Sequence, residues 1–317
     1  MDCWYNFYWN FVDDNQLGLV GKAANRLVRK FVKRHLDKSL PAFFKQNPVD
    51  SGINTTEHRI RKLVCSLTSF PARIDEIWVC IETIFRQTVK ADEIVLWLAT
   101  PQFPNHHIPE SLQRCAEKGL TIRWVDGDLR SHKKYYYALQ EYKNADVVLL
   151  DDDLYYPDEL LENLLTMARK HPNAICATRV HKMTYSKGTL ESYRKWIHNF
   201  NPPIECSSKD FFFTSGAGTL IPTGLMPEDT FNEDVFKRIC FYADDVWLNM
   251  QARKACLDVY SNNKYDKDEI SIGTSQNVKL VQANVLSGGN DKQILAVMKY
   301  LDLEILKTPS VWVGVII

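Results

Sequence analysis

Val147-Val148-Leu149-Leu150-Asp151-Asp152-Asp153-Leu154-Tyr155-Tyr156-Pro157 is an apolar run that breaks abruptly into three carboxylates. A short run of β-branched and aliphatic residues reads as a buried strand. A strand ending in acids puts hard oxygen ligands at the carboxyl edge of a sheet, where open α/β folds bind their ligands. On extended backbone Asp151 and Asp153 share one side and Asp152 faces the other, so the outer pair could recruit one divalent ion. The same stretch also fits a solvated acidic turn before a helix, with Pro157 at a first helical position and Asp158 and Glu159 in the first turn. Three clustered carboxylates repel one another unless a cation is near, which favours the metal reading.

Upstream of this stretch, strand and helix patterns alternate from Arg61 onward. Leu63–Leu67, Glu93–Leu98, Thr121–Val125 and Asp146–Leu150 read as four strands. Ile74, Ile77, Trp78, Ile81, Ile84 and Phe85 fall at helical spacing after the first of them. Ser131 can cap a helix carrying Tyr135, Leu139 and Tyr142, and Pro157 can open another that ends near Arg169-Lys170-His171. Alternation of this kind predicts an α/β fold, a mainly parallel central sheet flanked by helices.

The first sixty residues differ. From Leu17 to Lys45 eight basic residues face one acid, Asp37, and are interleaved with Leu19, Val20, Leu27, Val28, Phe31, Val32 and Leu36. This predicts a basic amphipathic helix, which can lie on an anionic bilayer, dock on a partner, or pack its apolar stripe on the main domain. Pro41, Pro48 and Gly52 then suggest a connector, dividing the chain into an extension over 1–58 and a main domain over 59–317.

Composition bounds the function. The 317 residues can bury a large core, and 39 Lys+Arg balance 39 Asp+Glu, so neither nucleic acid nor any other polyanion is an expected partner of the whole chain. Cys3, Cys65, Cys80, Cys115, Cys176, Cys206, Cys240 and Cys256 are scattered and form no Cys-x-x-Cys pair. That predicts free thiols in a reducing cytoplasm. No window is long and apolar enough to span a bilayer, and Val311–Ile317 reads as a last strand or packing tail. The expected location is cytoplasmic, with a peripheral membrane contact open through the basic extension.

Four further constellations sit at the ends of elements. Ser66-Leu67-Thr68-Ser69-Phe70-Pro71-Ala72-Arg73 is a polar turn without the glycines of a dinucleotide fingerprint or a P-loop lysine. Its hydroxyls and arginine can contact a base or phosphate. Arg130-Ser131-His132-Lys133-Lys134 puts cations at a helix start, a cost offset where they face phosphate or the aspartates. In Phe211-Phe212-Phe213-Thr214-Ser215-Gly216-Ala217-Gly218 the glycines permit either close backbone approach to a ligand or a strand bulge. Asp244-Asp245 opens a helix: Asp244 suits the N-cap, and Asp245 in the first turn would be held ionised by the dipole, as a proton acceptor requires.

In this order the motifs resemble those of GT-A fold glycosyltransferases of the family 2 type, including bacterial capsule and surface-polysaccharide transferases. The resemblance covers roughly Arg61 to Ala255 and is most specific in Ser66–Ile74, Val147–Pro157 and Ala243–Leu248. It implies a sugar transfer from a nucleotide-diphosphate donor, a UDP-sugar being favoured, to a glycan or lipid-linked hydroxyl, with inversion. Asp151 and Asp153 would hold Mn2+ or Mg2+. Thr68, Ser69, Arg73, Lys133, Lys134, Asp151, Asp152, Gly216 and Gly218 would line the donor site, Asp152 through a structural or ribose contact. Asp244 and Asp245 would be the catalytic carboxylates, with Asp245 in the position of the base.

The chain departs from that pattern twice. Leu98-Ala99-Thr100 replaces the aspartate that often contacts the base after the second strand, and no histidine follows His198 to serve as a C-terminal metal ligand. Two other readings predict different behaviour. A phosphohydrolase or phosphotransferase with an aspartate nucleophile would place that residue after the first core strand, whereas three strands precede the one that ends at Asp151 here. A non-catalytic carbohydrate-binding protein would bind without turnover.

Overall fold

The four apolar runs are strands, and each extends the sequence reading by a residue or two. In a computed structural model that describes residues 3–11, 18–262, 264, 265, 267–273 and 289–303, they are β1 (Lys62–Thr68), β2 (Glu93–Ala99), β3 (Leu120–Val125) and β4 (Ala145–Leu150). Four more strands, β5 (Ile175–Ala177), β6 (Cys206–Ser207), β7 (Ala217–Pro222) and β8 (Val259–Ser261), complete one sheet in the order β6-β8-β5-β7-β4-β1-β2-β3. The pairs β1–β2, β1–β4, β2–β3 and β5–β8 are parallel; β7 runs antiparallel to β4 and β5, and β6 to β8. The sheet is therefore mixed and mostly parallel. Val311–Ile317 lies outside the described residues.

Helices cover both faces, which is why the central strands are apolar on both sides. Leu63, Cys65 and Leu67 of β1 enter one core, where they meet α2 (Gly18–Gln46), α3 (Ile77–Phe85), α4 (Glu110–Glu117) and α6 (Leu160–Lys170). Val64 enters the other, with α5 (Lys133–Glu141), α7 (Glu233–Ile239), α8 (Asp244–Lys254) and α9 (Gly289–Tyr300). Val32, Leu36, Leu40 and Phe44 of α2, and Tyr5 and Tyr8 of α1 (Cys3–Asn10), belong to the first core. The extension thus buries an apolar stripe on the main body.

Helix starts differ from the sequence reading in three places. Residues Arg130–His132 form a 3-10 turn, so α5 begins at Lys133 with no side-chain cap, and Ser131 hydrogen-bonds Asp244 instead. Pro157 lies before α6, which begins at Leu160, and its carbonyl accepts from the Leu160 N–H at 3.1 Å. Asp244 is the first residue of α8, not its N-cap, which is Ala243. Pro41 stands inside α2 rather than in a connector, between the buried Leu40 and Phe44.

The topology fixes where a ligand can sit. From β1 the chain builds outward through β2 to β3, then returns to add β4 on the other side of β1. Between the carboxyl ends of β1 and β4 the connections diverge and leave a crevice, the usual ligand position in such sheets. Because β7 is antiparallel to β4, its first residue Ala217 pairs with Leu150. Gly216 is thereby delivered beside Asp151.

Candidate active site

The turn after β1 and the aspartates after β4 meet across that crevice. Ser69 Oγ donates to Asp152 Oδ2 at 2.5 Å, and the Arg73 guanidinium bridges Asp152 Oδ1 at 2.6 Å and Asp153 Oδ2 at 3.1 Å. Arg73 also lies over the Phe70 ring, 5.3 Å from its centre. Asp152 is only 6% exposed, so its partners make it a fixed strut of the turn. The strict alternation expected of an extended chain does not hold: the backbone bends after Leu150, and Asp152 and Asp153 share one cation while Asp151 faces another.

That second cation is Lys134. Buried to 3% exposure, its Nζ lies 2.7 Å from Asp151 Oδ1 and 3.1 Å from Asp244 Oδ2. Burial alone would lower its pKa, but Asp151 and Asp244 outweigh that and raise it, so it stays charged. Lys134 therefore joins the acids after β4 to the acids opening α8. Gly216 makes the junction possible: a Cβ there would stand 1.8 Å from the Asp151 carboxyl carbon. Tyr156 locks the same corner, its hydroxyl accepting from the Asp151 N–H at 2.7 Å and donating to the Gly216 carbonyl at 2.6 Å.

Ser215 separates the two aspartates of α8 by role. Its N–H and Oγ both donate to Asp245 Oδ1, at 2.9 and 2.6 Å, while its Oγ lies 3.1 Å from Asp244 Oδ2. Burial pushes the Asp244 carboxyl up, but Lys134, with Ser131, outweighs it and holds the group down at about 2. Asp245 moves the other way. Burial and the charge of Asp244 raise it to about 6, against the expectation that the helix dipole would hold it low. Asp245 is nevertheless half-buried rather than enclosed, and still ionised at neutral pH.

Asp153 is raised to about 7 by burial and by the charge of Asp151, with Arg73 opposing. Asp151 and Asp153 each keep a second carboxylate oxygen without a hydrogen-bond partner among the described residues. Asp151 shares Lys134 with Asp244 and Asp153 shares Arg73 with Asp152, so two carboxylates with a free oxygen each and only shared cations are a fitting donor set for a hard divalent cation. No third His, Cys, Asp or Glu joins them among the described residues, so phosphate oxygens and water would complete the shell.

Of the residues expected at the site, Thr68, Ser69, Arg73, Lys133, Asp151 and Asp152 line one cavity, together with Phe70, Arg130, Ser131 and Tyr242. Lys134 lies behind Asp151 and Gly216 beneath it. Gly218 is placed differently: with φ of +109° it forms a bulge in β7, packed against Leu160 and Thr178. His132 is a buried ring stacked on Phe236, its Nε2 3.0 Å from the Cys240 carbonyl, and burial lowers its pKa to about 4.

Two cavity residues escaped the sequence reading. Gln102 Nε2 donates to Asp128 Oδ2 at 2.9 Å, Lys133 pairs with Asp128, and Gln102 Oε1 is buried without a partner among the described residues. The signal was Asp126-Gly127-Asp128, an acidic turn directly after a strand.

No protein-family model matches the chain, and no curated protein matches it. Among solved structures it is similar to the mannosyltransferase PcManGT from Pyrobaculum calidifontis in complex with GDP-Man and Mn2+, at 14% identity and a TM-score of 0.43 over 90% of this chain and 81% of that one. A likeness this loose carries no functional weight, and the site is read from its own geometry.

Proposed function

We propose that the protein is a metal-dependent glycosyltransferase of the GT-A, family 2 type, moving a sugar from a nucleotide-diphosphate donor to a hydroxyl of a glycan or lipid-linked acceptor in surface-polysaccharide synthesis. The observation that carries this is the joining, through Lys134 and Ser215, of two carboxylate sets at the switch point of the sheet. One set suits a cation and a diphosphate; the other suits a proton.

Asp151 and Asp153 would hold the ion, Mn2+ or Mg2+, which when bound supplies Lewis-acid stabilisation of the charge on the departing diphosphate. Arg73 keeps the aspartate turn in place, and Lys133 faces the cavity where phosphates would lie. Gln102 and Asp128 stand where the family's base-contacting aspartate is missing, offering a donor–acceptor edge to a nucleobase, UDP being the favoured carrier. Asp245 takes the proton of the acceptor hydroxyl as its oxygen bonds the anomeric carbon and the bond to the nucleoside diphosphate breaks. Ser215 fixes Asp245 Oδ1, leaving the other oxygen for that proton. Attack opposite the leaving group is one displacement and inverts the anomeric centre.

All eight cysteines are unpaired, which fits a reducing cytoplasmic location. The deciding experiment is a panel of nucleotide sugars screened with and without Mn2+ for protection against thermal unfolding, followed by transfer to simple glycosides. A donor that protects only with Mn2+ and is consumed with inversion supports the reading. Release of inorganic phosphate without an acceptor, or no donor bound at all, would overturn it.

A further inference from the structure

Independently of the proposed chemistry, we propose that the outer face of α1 and α2 is a docking surface for an anionic lipid bilayer. The inner face of α2 is fully used. Val32, Leu36, Leu40 and Phe44 are buried in the core, Lys33 Nζ donates to the carbonyls of Ser271 and Gly273, Arg29 donates to the carbonyl of Glu269, and Asp37 accepts from Tyr155 and the Gly273 N–H. The helix is therefore held rigidly, with its opposite side turned outward.

That outer side is not merely basic. Val20, Leu27, Phe31, Arg34 and Lys38 recur at intervals of one face of a helix. Its first half is apolar, with Val20 and Leu27 each 72% exposed and Phe31 56%, and its second half is cationic. From α1, Trp4 and Phe7 add two more exposed rings, Trp4 lying 5.3 Å from Phe31 and 6.0 Å from Phe7. Exposed Arg26 and Lys30 flank the apolar patch.

Charge identifies the occupant. The chain balances its charges overall, yet α1 and α2 carry a single acid, Asp37, and that residue is turned inward. Positive charge is thus segregated around an apolar tip that includes a Trp, the pattern of a segment lying in a membrane interface: rings and aliphatic chains enter the acyl boundary and basic residues stay among anionic headgroups. No helix of the described residues is long and apolar enough to cross a membrane, so the contact is one of surface association.

The test uses the full chain, sedimented with vesicles of phosphatidylcholine alone or of equimolar phosphatidylcholine and phosphatidylglycerol. Binding is expected only to the anionic vesicles and is expected to weaken with salt. V20S/L27S/F31S and K30E/R34E/K38E, made separately, should each retain the thermal unfolding midpoint. The charge variant should lower the apparent affinity on the order of a hundredfold. Absence of wild-type binding to anionic vesicles at low salt would overturn the proposal, as would binding by both variants as tight as that of the wild type. A wild-type dimer in light scattering that the apolar variant abolishes would assign the face to a second copy instead. Donor protection by Mn2+ is read separately, so failure here leaves the catalytic reading standing.

Discussion

Lys134 Nζ lies 3.1 Å from Asp244 Oδ2 while also contacting Asp151, so one buried ammonium neutralises a carboxylate from each half of the site. Removing it leaves Asp244 charged and enclosed. Lys134→Met is expected to destabilise the fold by about 3–5 kcal/mol, the usual cost of stripping one partner from a buried pair. Chemical denaturation at pH 7 checks this. Because Asp244 titrates below its unfolded value, its contribution is present above about pH 4 and is lost as pH falls through about 2. Lys134→Met should therefore flatten the acid limb of the stability curve; an unchanged limb would mean that Lys134 does not set the Asp244 pKa.

Gly216→Ala tests the placement of Asp151. The added methyl would stand within 2 Å of the carboxyl group, so Asp151 must swing off Lys134. A displacement of about 1 Å at a reacting centre costs about a hundredfold in rate. Steady-state turnover should fall by that order. Gly218→Ala, at a positive φ and packed against Leu160 and Thr178 rather than lining the cavity, should instead lower the unfolding midpoint more than the activity. Equal effects of the two substitutions would remove the distinction.

The strands and the acidic motifs were legible because their signals are local. β1, β2 and β4 are buried on both faces along most of their length, so their apolar runs mark them directly, and the triplet follows the last of them without a gap; the edge strand β3 is buried only at Leu120 and Val125. Side-chain partnership was not legible. Asp244 and Ser131 each stand one residue from the cap positions that their types suggest, because Lys134 and Ser215 recruit Asp244 across the chain and Asp244 in turn recruits Ser131. Gln102 closes a 3-10 turn after β2 and Asp128 lies in the loop after β3, and only the fold brings them to one cavity. In α2 the periodicity signals an amphipathic helix, but it contains two apolar sets on opposite sides, and only packing tells which is buried.

Asp153 predicts an opposite pH dependence for the metal-free protein. A carboxyl raised to about 7 in the fold binds its proton more tightly than in the unfolded chain, so stability falls as pH rises from about 4 through 7. A bound divalent cation favours the ionised form and offsets that loss. Mn2+ should therefore raise the unfolding midpoint more at pH 8 than at pH 5, and Asp153→Ala should abolish both the Mn2+ shift and nucleoside diphosphate release. An Mn2+ shift that persists in Asp153→Ala would place the ion elsewhere.

Asp245 makes the most direct claim on mechanism. If Asp245 is the base proposed above, its carboxyl, raised to about 6, must be ionised to take the acceptor proton, so the rate at saturating substrates should fall about tenfold per pH unit below that value. Asp245→Asn keeps the shape of the Ser215 contact while losing the basic oxygen. Turnover is expected to drop by about 10²–10⁴, with donor protection by Mn2+ unchanged, because the substitution removes general-base assistance without touching Asp151 or Asp153. The conservative Asp245→Glu should restore part of the rate and move the acid limb. A variant lacking the carboxylate that turned over at the wild-type rate, or a profile flat from pH 5 to 8, would return the proton to water or to another group.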